Sequence, residues 1–412
     1  MNGKTSKNRL YYLKVSLLFL AIWGLLAFGI RIASGNNILG ADYYTFYTAA
    51  RMYLLEGKNP YSEEVTQMAQ LGILGRLAHP DEDQLGFAYP IFMLFWVMPF
   101  AWLDISISQS LWMSLNLLLF LTCLYQIYKE QKSFIFIGLT FYPFCFGIIL
   151  GNFSNLISVI LLYSFYVLIL SKEMPKPRHQ IYIGFLLAWT IGKPQISLLL
   201  LIFALLICLK SHYFYTILAF CLSIMVFVII SWVLLPDWLS FWVGQLQKYA
   251  IYNQSTPAYL LSSIMSFTQI PSTFWTMVVM AGTILTFFVW LRVVYKPENI
   301  EISNLSYLNL LFFVLLSILS VFLMPRTLSN DQLLLILGLF IGSKPFISRV
   351  GLTLKILWIF LSAFSWLTFA VPLPALSSTN VVFPFFFTTC WLIVFLLLYT
   401  KFKPKAIVNA PA

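Results

Sequence analysis

The stretch YLKVSLLFLAIWGLLAFGIRI (Tyr12–Ile32) is long and apolar enough to cross a bilayer, and GADYYTFY (Gly40–Tyr47) is the first polar stretch after it. A membrane-spanning helix needs about 20 predominantly apolar residues. We therefore expect Asp42 where water meets hydrocarbon, at a depth from which a carboxylate can act on a lipid head group. A lone aspartate in such a place is more often an ordinary solvated loop residue, so the rest of the sequence must decide its role.

The composition is that of a polytopic membrane protein. Of the 412 residues, 60% are hydrophobic and 9% are charged, whereas a soluble protein has about a quarter charged residues. The mean hydropathy is +0.87. Long apolar runs separated by short basic loops predict membrane helices rather than a barrel.

The charge balance, with 25 Lys+Arg against 14 Asp+Glu, does not indicate a nucleic-acid partner. The basic residues cluster in loops and tails, which is the positive-inside pattern of membrane proteins. All five cysteines fall inside apolar segments without a CxxC pair. We expect these cysteines to pack as small hydrophobic residues, and we expect no disulfide framework, no metal site and no cofactor. The oligomeric state is left open.

The positions of basic residues also predict the topology. Basic residues precede Val15 and end the chain at 401–405, which predicts a retained signal anchor and cytoplasmic termini. The sequence has thirteen apolar segments, whereas two cytoplasmic ends require an even number of crossings. We therefore expect one segment to be re-entrant or interfacial, with 89–102 and part of 181–209 as the candidates. We expect one all-α membrane domain over residues 1–412, with about 11–13 membrane helices. Apolar segments lie near 12–32, 89–102, 108–128, 134–150, 154–170, 181–192, 196–209, 214–235, 272–292, 304–323, 332–343, 353–372 and 383–400.

Two expected outer loops are large enough to carry function. Loop 33–88 contains two amphipathic stretches, Tyr43–Leu55 and Glu63–Leu77, which predict interfacial helices lying on the membrane surface. Loop 236–271 is rich in Trp, Tyr and Gln and is expected to cap the same face. Its aromatic residues suit either sugar stacking or an interfacial aromatic belt.

Two helix breaks are predicted inside the apolar region, at Gly151-Asn152 and at Gly192-Lys193-Pro194. Irregular backbone at membrane depth is tolerated only where it faces protein or a wet cavity. A lysine at such a break costs at least a few kcal/mol unless it has a partner or a function. The alternative is that Lys193 snorkels to a membrane surface.

Four sequence blocks follow one another in order with reasonable spacing. Each block is weak alone, and their order makes the signal more specific. They are Asp42 leading to Gly57-Lys58-Asn59-Pro60-Tyr61; Phe87-Ala88-Tyr89-Pro90 with Pro99 and Leu111-Trp112; Gly151-Asn152-Phe153-Ser154-Asn155; and Gly184 with Gly192-Lys193-Pro194.

These blocks resemble a GT-C family of membrane glycosyltransferases that includes bacterial mannosyl- and arabinofuranosyltransferases. The resemblance extends over roughly residues 1–210 and implies a GT-C-type bundle with an interfacial first outer loop. It also implies transfer of a sugar from a polyprenyl-phosphate donor to a glycolipid or glycan acceptor, at the extracytoplasmic face of a bacterial cell membrane. The family more often has Gly-Gln where this chain has Gly151-Asn152.

The resemblance and the chemistry together suggest roles for individual residues. Transfer to a hydroxyl needs a base, and Asp42 is the candidate. The departing lipid phosphate needs a cation, and Lys193 is the first candidate. Arg326 is the second, although a simple contact with a lipid headgroup explains it nearly as well. The family usually has a histidine in this late segment, where this chain has Asn330-Asp331.

The remaining candidate substrate-binding residues come from the matched blocks. They are Tyr89, Asn152, Asn155 and Arg51. Arg51 lies nine positions after Asp42, about two and a half helical turns, so we do not expect it to pair with Asp42. The motif Asp81-Glu82-Asp83 has the form of a metal-binding Asp-x-Asp, but a solvated acidic loop is the favoured interpretation.

Two other classes of function fit many membrane helices with breaks. A transporter usually has two similar halves, and no internal repeat is evident in this sequence. A flippase or polymerase of lipid-linked saccharides would share the lipid substrate but would need no base in the first outer loop. Replacing Asp42 with Asn separates these classes, because only the transferase should lose activity.

Overall fold

The computed structural model describes residues 2–171, 174–252, 270–294, 302–323, 330–370 and 382–402, and all regular structure in them is helical. The predicted all-α class is confirmed. The α-helices are α1 (Asn2–Ser34), α2 (Ala41–Glu56), α3 (Glu63–Leu74), α4 (Ile105–Tyr128), α5 (Lys132–Gly138), α6 (Tyr142–Leu150), α7 (Phe153–Phe165), α8 (Pro177–Trp189), α9 (Pro194–Lys210), α10 (Phe214–Leu234), α11 (Trp238–Tyr252), α12 (Ser272–Val294), α13 (Ile302–Leu323), α14 (Leu333–Ser343), α15 (Ile347–Ala370) and α16 (Val382–Lys401).

The described residues contain seven helical stretches that are long and apolar enough to cross a membrane. An eighth is obtained if α5 and α6, which meet at a bend of 59°, form one broken span. The stretch Leu333–Ala370 contains both α14 and α15, and α9 is apolar but shorter. A multi-pass membrane protein is confirmed, while the total of 11–13 crossings stays a prediction. The seven stretches are Leu13–Ser34, Ile105–Tyr128, Phe153–Leu170, Phe214–Leu234, Thr273–Val293, Ser306–Leu323 and Leu333–Ala370.

The apolar segment 89–102 does not form a membrane-length helix. It folds as two 3₁₀ helices, Ile91–Trp96 and Met98–Phe100, with most of the first one buried. At about 2.0 Å per residue, the six residues of the longer helix span only about 12 Å. This segment was one of the two candidates for a re-entrant or interfacial position.

The first compact unit consists of Met1–Phe120, Ile148–Asn152 and Asp237–Tyr249. Within it, the corner between α2 and α3 is made by the sequence Gly57-Lys58-Asn59-Pro60-Tyr61. Gly57 ends α2 in the left-handed conformation, and its N–H donates to carbonyls of the last turn, as in a Schellman-type cap. Asn59 Oδ1 then accepts from the Tyr61 N–H at 3.0 Å. The motif therefore acts as a rigid turn.

Helix α11 packs in the same unit as the first loop. The Trp242 indole N–H donates to the Ala88 carbonyl at 3.2 Å, and the ring of Phe241 stacks on Tyr61. The exposed pair Lys248–Glu63 lies at 3.8 Å, a geometry that contributes little to stability. Residues 237–249 of the second loop thus pack on the first loop, and their position outside the cell stays a prediction.

The second compact unit consists of Leu121–Gly147, Phe153–Pro236 and Ala250–Ala412, of which the described residues are considered. Helix α8 ends at Trp189, a 3₁₀ turn covers Thr190–Gly192, and α9 begins with Pro194. Proline suits the first helical position because no N–H is needed there. The helix break predicted at Gly192-Lys193-Pro194 is therefore present, with Lys193 as the N-cap of α9.

Candidate functional site

Asp42 lies in the first turn of α2 and is half-buried. The Asn152 side-chain amide donates to Asp42 Oδ2 at 2.7 Å, although the two residues are 110 positions apart. A carboxylate in the first turn is also favoured by the helix dipole. This hydrogen bond fixes the orientation of the carboxylate. A freely solvated loop aspartate would have no such fixed orientation.

Gly151 places Asn152 beside Asp42. Its φ of +66° is in the left-handed region, and a Cβ at this position would lie 2.5 Å from Tyr43 Cβ. The Gly151 carbonyl accepts from the Trp112 indole N–H at 2.8 Å. The Trp112 ring in turn stacks on Tyr43, with centroids 5.6 Å apart. Only glycine satisfies both the backbone conformation and the close approach.

A second glycine, Gly40, allows another close approach between two backbone segments. A Cβ on Gly40 would lie 2.8 Å from the Leu150 carbonyl oxygen. The chain entering α2 therefore runs directly against the backbone that leads to Gly151. We call Asp42, Asn152, Tyr43, Gly40 and Gly151 the Asp42 cluster, and all of it belongs to the first unit.

Tyr89 packs against α2, the helix that carries Asp42. Its half-buried ring packs edge-on against Phe46, with centroids 5.1 Å apart. Phe46 follows Asp42 by four positions, so the two side chains lie on the same face of α2. The backbone carbonyl of Tyr89 accepts from the Tyr61 hydroxyl at 2.7 Å, which ties the second sequence block to the α2–α3 corner.

Arg51 has partners in the backbone after the second 3₁₀ helix. Its guanidinium donates to the carbonyls of Ala101 at 2.9 Å and Leu103 at 3.4 Å. The guanidinium also lies 5.8 Å from the centre of the Tyr47 ring. These contacts hold α2 to the segment before α4, and a contact of Arg51 with substrate stays a prediction.

Lys193 belongs to a separate polar cluster in the second unit. Its ammonium donates to Asp331 Oδ1 and to Ser154 Oγ, both at 2.6 Å, and the Ser154 hydroxyl donates to the same Asp331 oxygen at 2.5 Å. The side chains of Lys193 and Asp331 are each only 4% exposed. The snorkelling alternative for Lys193 is therefore wrong.

The Asn330 amide completes what we call the Lys193 cluster, made of Lys193, Ser154, Asp331 and Asn330. It donates to Ser154 Oγ at 3.3 Å and to Asp331 Oδ1 at 3.4 Å. Within the described part of the chain, its own Oδ1 is buried and accepts no hydrogen bond.

Asn155 is fully buried and links two helices of the second unit. Its amide donates to the Phe144 carbonyl in α6 at 3.2 Å. A Cβ on Gly147 would collide with the Asn155 side chain. Asn155 therefore packs α7 against α6. Its possible contact with substrate stays a prediction.

The acidic motif at 81–83 is engaged in its own loop. Glu82 forms a two-oxygen ion pair with Arg76 at 2.8 Å, and this pairing lowers the pKa of Glu82 to about 2. Asp83 accepts from the Leu85 N–H at 3.0 Å, while Asp81 is exposed. These contacts favour the solvated loop over a metal site.

Two residues of the late segment, Arg326 and Asp331, remain to be placed. Arg326 lies outside the described residues. The sequence indicates Asp331 only as a departure from the family's usual histidine and does not predict its pairing with Lys193. An ionisable residue beside a long apolar run is a signal in itself, and it applied to Asp331 as much as to Lys193.

The helices and the two polar clusters define a multi-pass membrane protein with charged and amide groups buried among its helices. The family model described as Glycosyltransferase family 87 matches residues 87–318, more than half of the 412 residues. The chain therefore belongs to glycosyltransferase family 87 and is a membrane glycosyltransferase. Comparison with curated proteins and with solved structures found no match.

The family match confirms the GT-C resemblance, but its range includes only some of the candidate site residues. Tyr89, Asn152, Asn155 and Lys193 lie within the matched range. Asp42 and Arg51 precede it, and Arg326 follows it. The case for Asp42 thus depends on its motif and on the geometry of its cluster.

Proposed function

We propose that this glycosyltransferase moves a hexosyl or pentosyl group from a polyprenyl-phosphate donor to a lipid- or glycan-linked acceptor. The transfer takes place on the extracytoplasmic face of the membrane, with Asp42 as the catalytic base. The observation that carries the proposal is the hydrogen bond of 2.7 Å from Asn152 to Asp42. It holds a carboxylate in one orientation next to a span of membrane length.

The chemistry of this step balances with one carboxylate. The carboxylate takes the proton of the acceptor hydroxyl, and the acceptor oxygen forms a bond to the anomeric carbon. The bond from that carbon to the phosphate oxygen breaks, and the phosphate leaves with the electron pair. A positioned general base of this kind contributes about 10²–10⁴ in rate.

Two features support a lipid-linked donor over a nucleotide sugar. The four sequence blocks resemble enzymes that use polyprenyl-phosphate sugars. In addition, the predicted topology puts Asp42 outside the cell, whereas nucleotide sugars are made in the cytoplasm. A polyprenyl tail would deliver the donor within the membrane plane. Lys193 is proposed to contact the donor phosphate, since a cation stabilises the departing charge.

The test uses purified protein in liposomes with polyprenyl-phosphate sugars or nucleotide sugars as donors. We expect turnover with the polyprenyl donors and none with the nucleotide sugars. Asp42→Asn should lower turnover by about 10²–10⁴ while donor binding survives, because the amide keeps the shape but takes no proton.

Asp81→Asn is the matched control, because it is the same substitution at an exposed position of the first loop. It should transfer sugar at the wild-type rate. Direct turnover of a nucleotide sugar, or full activity of Asp42→Asn, would refute the proposal.

A further inference from the structure

The Lys193 cluster connects the beginnings of three helices. Ser154 is in the first turn of α7, Lys193 is the N-cap of α9, and Asp331 lies two residues before α14. Helix N-termini carry partial positive charge and unsatisfied N–H groups, so they favour an anion. Together with the Lys193 ammonium, these helix N-termini stabilise a buried negative charge at this place in the second unit.

The anion present at this place is a side chain of the protein itself. Asp331 Oδ1 accepts from Lys193, from Ser154 and, at longer distance, from Asn330. The donors converge on one oxygen, as they would on a phosphate oxygen. The pair is almost completely buried, and a buried ion pair is weak evidence for a purely stabilising role.

Asn330 provides a second observation, independent of the ion pair, that the cluster has room for a further hydrogen-bond donor. Its Oδ1 atom is buried and accepts no hydrogen bond from the described residues. A buried acceptor that stays unsatisfied is costly, and a hydroxyl group of a ligand could donate to it. A sugar phosphate carries both groups needed here: phosphate oxygens for Lys193 and a hydroxyl for Asn330.

We propose that Asp331 is an internal counter-ion that occupies the phosphate position beside Lys193 until the phosphate of the lipid donor displaces it. This inference rests on the proposed polyprenyl-phosphate donor. Asp331 is not a catalytic residue in this scheme. It neutralises the Lys193 ammonium in the empty protein and competes with the donor phosphate for that ammonium. No covalent step is involved, only an exchange of one anion for another at the ammonium.

The competition gives the test a definite sign. The probe is polyprenyl monophosphate, and its binding to the full chain in detergent micelles is measured directly. Asp331→Asn keeps the shape and removes the competing charge, so binding should become about tenfold tighter, equivalent to about 1.4 kcal/mol. Lys193→Met, alone or combined with Asp331→Asn, should lose binding. Weaker or unchanged binding in Asp331→Asn would overturn the proposal.

Two controls separate this effect from general damage. Lys344→Met removes another partly buried lysine of the second unit, which donates to Gln131, and should leave probe binding unchanged. Lys193→Met combined with Asp331→Leu removes the whole ion pair. Such replacements often preserve stability, so this variant should fold and should not bind the probe. Wild-type binding by it would show that the pair is only structural and would overturn the proposal.

Asp331→Asn leaves a buried ammonium without its counter-ion and is at risk of unfolding. If it cannot be purified alone, it is purified in the presence of the probe. Rescue by the probe supports the exchange, and failure of rescue overturns it. Because the assay needs no sugar transfer, its outcome is independent of the tests on Asp42. If the protein transfers no sugar but Asp331→Asn still tightens binding of polyprenyl monophosphate, only the proposed transfer reaction is refuted.

Discussion

At the residue scale, Gly151 and Gly57 have nearly the same backbone conformation, with φ of +66° and +65°, but different surroundings. A Cβ on Gly57 would meet nothing within 4 Å, whereas a Cβ on Gly151 would meet Tyr43 at 2.5 Å. The two glycines therefore separate the cost of the left-handed conformation from the cost of a steric collision in the Asp42 cluster.

Gly57→Ala should destabilise the protein by about 1–2 kcal/mol, the cost of a left-handed L-residue. Gly151→Ala should cost about 1–3 kcal/mol more, because the new methyl group collides with Tyr43. It should also reduce sugar transfer, since Asn152 follows directly and would move away from Asp42. Unfolding of both variants in detergent and transfer rates per folded molecule provide the measurements. Equal effects of the two substitutions would contradict the geometry of the cluster.

At the element scale, the α2–α3 corner is held by a hydrogen bond to another part of the first unit. The Tyr61 hydroxyl donates to the Tyr89 carbonyl at 2.7 Å, and the Tyr61 ring is buried between Phe87 and Phe241. The motif Gly-x-Asn-Pro-Tyr thus provides both the turn and its anchor. Its tyrosine stabilises the scaffold that carries Asp42.

Tyr61→Phe should lower the free energy of unfolding by about 1 kcal/mol, because it removes one hydrogen bond and keeps the ring packing. Tyr125→Phe is the control, since Tyr125 is 51% exposed and its loss of a hydroxyl should have little effect. Both variants are compared by thermal unfolding in the same detergent. An equal midpoint for Tyr61→Phe and the wild type would show that the hydroxyl contributes nothing.

The element boundaries show which local features can be predicted. The breaks at Gly151 and at Gly192-Lys193-Pro194 were predicted because Gly and Pro act on their own backbone. The 3₁₀ helices of 91–100 were not, because hydropathy reports the burial of a segment and not its helix type. The acidic motif at 81–83 was expected to be a solvated loop, but the specific partners of Glu82 and Asp83 within that loop could not be predicted.

At the scale of the whole molecule, the proposed reaction depends on a topology that places the first loop outside the cell. Membrane-impermeant maleimide should label Glu56→Cys in intact cells and should leave Arg178→Cys unlabelled until the cells are permeabilised. Both positions are exposed, and the expected sides follow from the distribution of basic residues. The variants are made in a Cys221→Ser background because Cys221 is an exposed native cysteine.

The reverse labelling pattern would place the first loop in the cytoplasm. Asp42 would then face nucleotide sugars, and the extracytoplasmic part of the proposal would fail. Labelling of both positions after permeabilisation serves as the control for reactivity. The Lys193 cluster is tested separately by phosphate binding.

The sequence by itself determined the helical membrane class and the helix breaks, and it indicated Asp42 and Lys193 as candidate functional residues. Apolar run length, Gly and Pro positions and charge bias act locally, so they can be read along the chain. Only the tertiary structure decided the partners: Asn152 for Asp42, 110 positions away, and Asp331 for Lys193, 138 positions away. Such pairs form only when packed helices bring distant side chains within hydrogen-bonding distance, and local sequence patterns contain no information about those distances.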